Sequence, residues 1–378
     1  MSSVSPDVAA RMPETPALVY DEGEILRQLA LLRQVVQPAD AGLLYSLKAQ
    51  PLAGLLALMA PRVDGFSASS LYEARLAAAV AGAPGLRPAE LPELAHRCSA
   101  ISANSLAQCR LLLAVAGRTA SIGVRVNPGQ SSIDDPRYDP CRPASKLGVP
   151  LAELQAAREQ EPALAAGIRG LHFHTHFDCH AAAPLRTTLT RLEAALGDWL
   201  GTLDWINLGG GYHPRTPAEA SALGDVMRDF GQRHGVRLWI EPGKAVVGEA
   251  GQLVAEVIDC FERDGQAVAV LDTGVHHLPE VFEYQRAPRL REHTPDGGHV
   301  CQLAGGSCLA GDLFGTYRFR QPLAVGDRVV FEGVGAYALV KASRFNGHEL
   351  PAVYLRDRHG ALRQLKVFDF ADYQRQWG

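Results

Sequence analysis

One lysine has the surroundings of a nucleophile. Lys48 follows the apolar residues 43–47 (LLYSL), and we expect it to lie inside the strand that they form. Burial among apolar groups lowers the pKa of a lysine, so that its free amine can attack a carbonyl. Of the 37 Lys and Arg residues only five are lysines, which makes a lysine here more informative. Schiff-base chemistry is one interpretation, and a lysine that extends from the strand end into solvent is the other.

Three consecutive glycines form a second candidate site. Gly209, Gly210 and Gly211 follow the strand-like segment 203–207 after one further residue, Leu208. Without Cβ atoms their N–H groups can approach an anion closely, so a phosphate site is one interpretation. A tight turn between a strand and a helix is the alternative.

A carboxylate ends another apolar segment. Glu241 follows residues 236–240, and a carboxylate at the end of a buried strand requires a cationic partner. A pyridinium N–H would be a suitable partner for this carboxylate. A salt bridge to Arg125 is the alternative, and the two interpretations are compatible.

Three histidines alternate along one segment. His172, His174 and His176 would point to one face of a strand. One interpretation is a zinc site completed by carboxylates such as Asp178 and Glu241. A second is that one ring packs against a flat cofactor, and a third is that the outer two are ordinary buried polar groups.

Two candidates lie near the C terminus. Cys308 shares a Gly-rich segment with Asp312, and a partly exposed cysteine beside a cationic cofactor can donate a proton. An ordinary loop cysteine is the alternative. Tyr337 is a candidate hydrogen-bond donor to a phosphate, although most isolated tyrosines only pack.

The elements that must position these groups alternate in type. Apolar runs such as 120–128 and 167–177 alternate with amphipathic segments such as 185–200 and 217–234. Repeated strand–helix units of roughly 30 residues favour parallel strands with right-handed crossovers. Seven or eight such units predict an α/β fold with a (β/α)8 barrel over residues 16–245.

The remaining chain has a different pattern. From residue 246 onwards, Val-rich segments are separated by Gly, Pro and Asp. This pattern predicts a mostly antiparallel β domain over residues 246–378. The first 15 residues are expected either to associate with that domain or to be disordered.

Composition excludes several classes of protein. The 378 residues are 47% hydrophobic and 21% charged, which is ordinary for a globular protein, and a net charge of −4 argues against a nucleic-acid partner. The seven Cys contain no CxxC pair, which is typical of a reduced intracellular protein. No signal peptide and no apolar run of about 18 residues occur, so we expect a cytoplasmic protein with no membrane partner.

Taken in order, several motifs resemble those of the fold-type III decarboxylases that depend on pyridoxal 5′-phosphate, within the alanine racemase-like superfamily. These motifs are YSLKA (45–49), DGFSASSLYE (64–73), HFHTH (172–176), NLGGG (207–211), EPGK (241–244), GSCLAGD (306–312) and GAYALVKASRFNG (335–347). Segments similar to the branch of carboxynorspermidine and carboxyspermidine decarboxylases are YDPC (138–141), SKLG (145–148) and HLPE (277–280). The likeness covers about residues 16–355.

The resemblance implies roles for residues that bind the cofactor. Lys48 would carry pyridoxal phosphate as a Schiff base, and the His174 ring would stack on the cofactor ring. Glu241 would keep the ring nitrogen protonated, so that the ring withdraws electrons. The three glycines and Tyr337 would bind the phosphate, and Arg125 would contact the cofactor. No metal is implied.

The resemblance also implies how substrate is held and protonated. Cys308 would act across the interface of a homodimer, with shared active sites, and protonate Cα after carbon dioxide leaves; with Lys48 and His174 it would be catalytic. Asp312 would recognise the distal amine of the substrate. The other candidates for the substrate amino groups are Asp178, Glu280 and Glu283. The implied reaction is decarboxylation of carboxynorspermidine or carboxyspermidine to norspermidine or spermidine.

Departures from the pattern leave alternatives open. Lys244 follows EPG where the resemblance predicts Arg or Glu, so a diaminopimelate-like, ornithine-like or specialised-metabolite substrate is an alternative. A racemase would need a base on the second face of the cofactor, and Cys308 argues for protonation instead. A metal-dependent barrel hydrolase built on the three histidines leaves Lys48 unexplained. A non-catalytic carrier of the cofactor would lack the β domain.

Overall fold

The computed structural model of the chain describes residues 8–77, 79–116, 119–131, 133 and 135–378. The helices are α1 Val8–Arg11, α2 Glu22–Val36, α3 Ala53–Met59, α4 Leu71–Leu76, α5 Leu91–Arg97, α6 Leu106–Ala116, α7 Leu151–Gln160, α8 Pro162–Gly167, α9 Ala183–Leu196, α10 Pro217–His234, α11 Lys244–Val247, α12 Pro279–Tyr284, α13 Ala338–Lys341 and α14 Phe370–Trp377. The strands are β1 Ala17–Asp21, β2 Gly42–Ser46, β3 Gly65–Ala68, β4 Ala79–Gly82, β5 Cys98–Ala103, β6 Ser121–Asn127, β7 Val149–Pro150, β8 Gly170–His172, β9 Trp205–Asn207, β10 Arg237–Ile240, β11 Gly251–Arg263, β12 Gln266–Leu271, β13 Arg289–Leu290, β14 His299–Gly305, β15 Leu313–Phe319, β16 Arg328–Glu332, β17 Ala352–Arg356 and β18 Leu362–Lys366.

The chain divides into two compact units. One, the barrel unit, comprises Arg27–Ala245. The other, the sheet unit, comprises the described residues up to Leu26 together with Val246–Gly378. Among the described residues, no helix is both long enough and apolar enough to cross a lipid bilayer.

The barrel unit is a closed barrel of parallel strands, as the alternating pattern predicted. Around the barrel the strands follow the order β2-β3-β4-β5-β6-β8-β9-β10, and β10 pairs with β2 to close the ring. The short strand β7 pairs with the C-terminal end of β6. Every residue of β2 is buried, because a strand inside a closed barrel is covered on both faces.

Local signals explain where the connecting helices begin and end. In α10 the Thr216 side chain caps the first turn by accepting a hydrogen bond from the N–H of Glu219, and Pro217 occupies the first turn. The helix ends at Gly235, which adopts a left-handed conformation with φ 63°. The amphipathic pattern over 217–234 thus coincides with a fully capped helix.

The sheet unit contains a mostly antiparallel sheet. Its strands follow the order β15-β14-β12-β11-β1-β17-β18, and β16 pairs with both β11 and β13. The pairs β1–β17 and β12–β14 are parallel and the other pairs are antiparallel. The antiparallel character agrees with the Val-rich pattern of the C-terminal region.

The N-terminal region differs from the predicted boundary at residue 16. Strand β1 forms backbone hydrogen bonds with β11 and β17, so residues 17–26 lie in the sheet unit rather than the barrel unit. Val8 and Met12 pack in the same core cluster as Val19 and Val254. Residues 8–15 therefore associate with the sheet unit, whereas residues 1–7 lie outside the described residues.

Candidate active site

The closed barrel gathers the chemically active groups at one end. Lys48 comes two residues after β2, Arg125 lies near the end of β6, and His174 comes two residues after β8. Gly209 comes two residues after β9, and Glu241 directly follows β10. These five strands are consecutive neighbours around the barrel. Because all are parallel, their carboxyl ends form one rim, which is where barrel enzymes place their active sites.

Lys48 lies in a short turn rather than inside a strand. The 3-10 turn Leu47–Ala49 directly follows β2, which corrects the predicted position. The side chain is open to solvent, yet desolvation by the surrounding protein lowers the pKa of the amine. Glu241 opposes this effect and Arg125 adds to it. The amine therefore lies in a concave region that water can enter.

Asn207 connects two of these groups. Its Nδ2 donates to Oε1 of Glu241 at 2.6 Å, and its Oδ1 accepts from the N–H of Gly209 at 2.9 Å. The other oxygen of Glu241, Oε2, lies 3.8 Å from Nε2 of His172, which is too far for a hydrogen bond. Sequence reasoning missed the role of Asn207. The available signal was a polar residue that ends a buried strand two positions before the first glycine.

The glycines are required by close backbone packing. Gly209 and Gly211 adopt positive φ values of 72° and 92°. A Cβ atom at Gly209 would lie 2.3 Å from the carbonyl oxygen of Phe173, and one at Gly211 would lie 2.0 Å from that of His176. Only residues without Cβ atoms allow the loop after β9 to approach the segment after β8 this closely.

The N–H groups of the three glycines are not equivalent. Gly209 donates to Asn207, and Gly210 donates to Nδ1 of His174 at 3.1 Å. Among the described residues, no protein group accepts a hydrogen bond from the N–H of Gly211. An anion at this loop would therefore meet Gly211 directly, whereas the other two N–H groups already orient protein side chains.

The three alternating histidines are not among the described residues whose ligand atoms lie close enough together to share a metal ion. His172 and His176 are buried, with exposed fractions of 6% and 1%, and burial lowers the pKa of each to about 4. Both are therefore neutral at pH 7. The described residues hold one set of ligand atoms close enough for a metal ion, and its members are Asp178, His180 and His213.

Asp178 is already paired within the barrel unit. Its Oδ1 lies 2.6 Å from Nδ1 of His213, and its Oδ2 lies 3.7 Å from Arg215. The hydrogen bond to His213 lowers the pKa of Asp178 to about 2, and His180 and Lys244 contribute further. Cationic and hydrogen-bonding protein groups thus surround the carboxylate, and the binding of a substrate amine by Asp178 stays a prediction.

Arg125 and Lys244 are two further cations of the barrel unit, and they differ in their contacts. Burial lowers the pKa of Arg125, and the charge of Glu241 opposes this. The alternative of a salt bridge between Arg125 and Glu241 is not seen among the described residues, where such pairs lie within 4 Å. The two charges therefore interact over a longer distance. Lys244 places its ammonium 4.8 Å from the ring centre of Phe177, a cation–π distance.

In the sheet unit, the loop that carries Cys308 is organised around Asp312. Oδ1 of Asp312 accepts from the N–H of Val275 at 2.7 Å, and Oδ2 accepts from both the N–H and the hydroxyl of Ser307. Cys308 itself is exposed, and its N–H donates to Asn346. Asp312 is only 2% exposed. Donors of its own unit occupy both oxygens, and the recognition of the substrate amine by Asp312 stays a prediction.

The remaining candidates surround Lys341 in the same unit. Nζ of Lys341 lies 2.5 Å from Glu283 and 3.7 Å from Glu280. Tyr337 immediately precedes α13, and burial, assisted by Glu280 and Tyr284, raises its pKa to about 12. The Tyr337 hydroxyl therefore keeps its proton at pH 7 and can donate a hydrogen bond.

The groups at the barrel rim fit pyridoxal 5′-phosphate. The amine of Lys48 can bond to an aldehyde carbon, and the neutral ring of His174 offers a flat face. Glu241 keeps one oxygen that makes no hydrogen bond in the described structure, so it can accept from a ring N–H. Nε2 of His172, beside that oxygen, is buried without a hydrogen-bond partner, which marks this region as incomplete without a further polar group.

Comparison with known proteins agrees with this chemistry. A family model described as pyridoxal-dependent decarboxylase, C-terminal sheet domain, matches residues 17–335. A carboxyaminopropylagmatine decarboxylase of Synechocystis sp. is 34% identical over 376 residues, which cover 96% of this chain and 95% of the relative. A carboxynorspermidine/carboxyspermidine decarboxylase of Herminiimonas arsenicoxydans is 32% identical over 374 residues, which cover 96% and 99%.

Solved structures show the same fold. The crystal structure of carboxynorspermidine decarboxylase complexed with norspermidine from Campylobacter jejuni superposes with a TM-score of 0.85 and 28% identity, and the match covers 96% of this chain and 100% of that one. Diaminopimelate decarboxylase from Helicobacter pylori, at 19% identity and a TM-score of 0.85, shares the fold. The family model and the two relatives above 30% identity cover most of the chain. The chain therefore belongs to the pyridoxal-dependent decarboxylases, and it is a decarboxylase whose cofactor is pyridoxal 5′-phosphate.

Proposed function

We propose that the substrate is an α-amino acid with a polyamine side chain, namely carboxynorspermidine or carboxyspermidine, and that the product is norspermidine or spermidine. The observation that supports this proposal is the arrangement of Lys48, His174 and Glu241 at one rim of the barrel. The relatives above 30% identity are a carboxyaminopropylagmatine decarboxylase and a carboxynorspermidine/carboxyspermidine decarboxylase. A diaminopimelate-like or ornithine-like amino acid is the second candidate, because Lys244 departs from the expected sequence of the polyamine branch.

The barrel residues bind and orient the reacting groups. Lys48 would hold the cofactor through its amine, which the substrate amine then replaces, and His174 would support the cofactor ring with a neutral imidazole. Oε2 of Glu241 would accept a hydrogen bond from the ring N–H and so keep the ring nitrogen protonated. Pyridoxal phosphate, when bound, supplies an electron-withdrawing ring that takes up the electron pair of the broken Cα–carboxylate bond. The N–H of Gly211 would bind the phosphate group, with Arg125 adding positive charge.

The proton that replaces the carboxylate comes from Cys308. Its Sγ–H is transferred to Cα of the substrate after carbon dioxide leaves. Asn346 accepts the backbone N–H of Cys308 at 3.0 Å and so holds the residue in place. Among the predicted substrate-binding acids, we assign Glu280 to the distal amino group. Its carboxylate is 39% exposed, and its contact with Lys341 at 3.7 Å is looser than that of Glu283.

We also propose that the protein is a homodimer in which Cys308 serves the barrel of the partner subunit. Large apolar side chains near Cys308 are exposed, namely Phe282 at 53%, Leu309 at 41% and Leu313 at 40%. An exposed apolar patch of this kind is typical of a protein interface. We further propose a cytoplasmic location, in which free thiols such as these seven cysteines are typical.

Carbon dioxide and amine release test the substrate. Carboxynorspermidine, carboxyspermidine, carboxyaminopropylagmatine, meso-diaminopimelate and ornithine are each incubated with the protein and pyridoxal phosphate. We expect the protein to turn over carboxynorspermidine and carboxyspermidine, and Lys48→Ala to be inactive. Lys366→Ala is the control and should keep normal turnover, because Lys366 is an exposed lysine that pairs with Asp372. Turnover of diaminopimelate or ornithine alone would overturn the assignment to polyamines.

Mixing inactive variants tests the homodimer. Lys48→Ala and Cys308→Ala each remove one group from the same shared site. Mixed dimers contain one intact site, so we expect activity to return on mixing. A mixture that remains inactive while both variants exchange subunits would contradict the shared site.

A further inference from the structure

We propose that Asn207 is a positioning residue that holds the Glu241 carboxylate so that Oε2 faces the cofactor ring nitrogen. This inference rests on the proposed role of Glu241 and extends it to a residue that touches neither substrate nor cofactor. Asn207 also links the carboxylate to the glycine loop through Gly209. The ring-nitrogen site and the phosphate site are thereby held in one fixed geometry.

The backbone of Asn207 is held from both sides. It ends β9, where it lies in register with His172 of β8 and Trp239 of β10. Its carbonyl oxygen accepts from the N–H of Phe173 at 3.0 Å. With a 3% exposed fraction, the residue has little freedom to reorient. Its side chain therefore places the amide at a defined point between two strand ends.

The amide chemistry of Asn207 matches both neighbours. Its Nδ2 is a donor and faces the acceptor Oε1 of Glu241, at 2.6 Å. Its Oδ1 is an acceptor and faces the donor N–H of Gly209, at 2.9 Å. A carboxylate at this position would keep the second bond but place a negative oxygen against Glu241. An asparagine satisfies both contacts without adding charge.

The contact engages one oxygen of Glu241 and leaves the other available. Oε1 is taken by Asn207, and the nearest nitrogen to Oε2 among the ion pairs of the described residues is Nε2 of His172, at 3.8 Å. His172 is neutral at pH 7 because burial lowers its pKa to about 4. The free oxygen therefore has no competing cation within hydrogen-bonding distance, which suits acceptance from a ring N–H.

The isosteric change Asn207→Asp tests the proposal on the holoenzyme. We expect the dissociation constant of pyridoxal phosphate to rise about 10- to 100-fold, the range for losing a hydrogen bond to a charged group. The absorption spectrum of the bound cofactor should shift and become dependent on pH, because the ring nitrogen loses a fixed acceptor. kcat should fall while KM changes less than about threefold, since Asn207 does not touch substrate.

A matched control separates positioning from folding. Gln28→Glu makes the same amide-to-acid change at a side chain that is 1% exposed in the same unit, where Nε2 donates to the carbonyl oxygen of Pro214. We expect this variant to lose thermal stability but to keep the spectrum and affinity of the cofactor. Should Asn207→Asp fail to fold, Asn207→Ser removes the contact without adding charge.

Glu241→Gln distinguishes failure of this inference from failure of the proposed function. Suppose that Glu241→Gln changes the spectrum but Asn207→Asp keeps a normal spectrum and cofactor affinity. That result would overturn the inference and leave the role of Glu241 intact. Asn207→Ser replaces Asn207→Asp in this comparison if Asn207→Asp does not fold. A normal spectrum with Glu241→Gln would overturn the role of Glu241 itself, and the inference with it. Altered spectra in both variants, with an unchanged Gln28→Glu spectrum, would support both.

Discussion

Gly210 donates its backbone N–H to Nδ1 of His174 at a distance of 3.1 Å. Nδ1 therefore acts as an acceptor, and the imidazole proton lies on Nε2. Burial lowers the pKa of His174 well below its usual value, and the positive charges of Lys48 and Arg125 lower it further. A single backbone bond thus determines both the orientation and the tautomer of a neutral ring.

A methyl group at Gly210 should disrupt this arrangement. In Gly210→Ala the Cβ atom would lie 2.5 Å from the carbonyl oxygen of Glu241 and 3.3 Å from Cε1 of His174. We expect cofactor affinity, measured by titration of absorbance, to fall about tenfold or more, as for other overpacked positions. Gly85→Ala is the control, since nothing lies within 4 Å of a Cβ atom there. Equal affinities for the two variants would contradict the prediction.

Stability should fall as pH falls from about 6.5 towards 4. The pKa values of His172 and His176 are lowered to about 4 in the folded protein, so in this window the unfolded chain binds protons that the folded chain does not. Each histidine then removes about 1 kcal/mol of unfolding free energy per pH unit. Above pH 6.5 neither group contributes a pH dependence.

Urea unfolding at a series of pH values measures this effect. His176→Phe keeps a ring beside Tyr212, whose ring centre lies 5.2 Å away, but removes the ionisable group. We expect its unfolding free energy to depend less steeply on pH between 4 and 6.5 by about 1 kcal/mol per pH unit. An unchanged slope would show that His176 does not titrate as its burial requires.

Asp312→Asn should destabilise the sheet unit. The amide cannot accept from all three donors, so either the buried N–H of Val275 or a donor of the half-buried Ser307 loses its partner, at a cost of about 2 kcal/mol. We expect a lower unfolding midpoint, and faster reaction of Cys308 with a thiol reagent because its loop loosens. Burial raises the pKa values of Cys98 and Cys109 to about 11 and 12, so these thiols should stay unreactive.

Asp357→Asn provides the comparison for Asp312. Asp357 also accepts two backbone N–H groups, those of His359 and Ala361, but in an exposed turn of the same unit. Water can replace the lost bonds there, so the loss of stability should be smaller. Similar losses at the two positions would argue against a special role for Asp312 in the Cys308 loop.

Asp178→Asn should have little effect on substrate affinity. The carboxylate already contacts His213 and Arg215, so its removal leaves KM for carboxynorspermidine within about threefold of the normal value. Steady-state kinetics over a range of substrate concentrations measures this. A rise in KM of tenfold or more would instead make Asp178 a substrate-binding residue.

The sequence alone determined the architecture and the class of chemistry. Apolar runs that alternate with amphipathic helices predict a closed parallel barrel, because hydrophobic period is a local property that the chain carries without its tertiary contacts. Lys48, the glycine run and Glu241 each follow an apolar run, so their common position at strand ends also follows from local pattern. The order of the motifs was specific enough to indicate the family.

Side-chain partners were decided by the tertiary structure alone. Asn207 meets Glu241 across 34 positions of sequence, because β9 and β10 pair in a particular register, and no local period encodes that register. Asp312 and Asp178 read as free acids in the sequence, but folding brings the donors Val275 and His213 to them. A buried carboxylate takes the nearest donors to offset its desolvation, and which donors are nearest depends on how the whole chain folds.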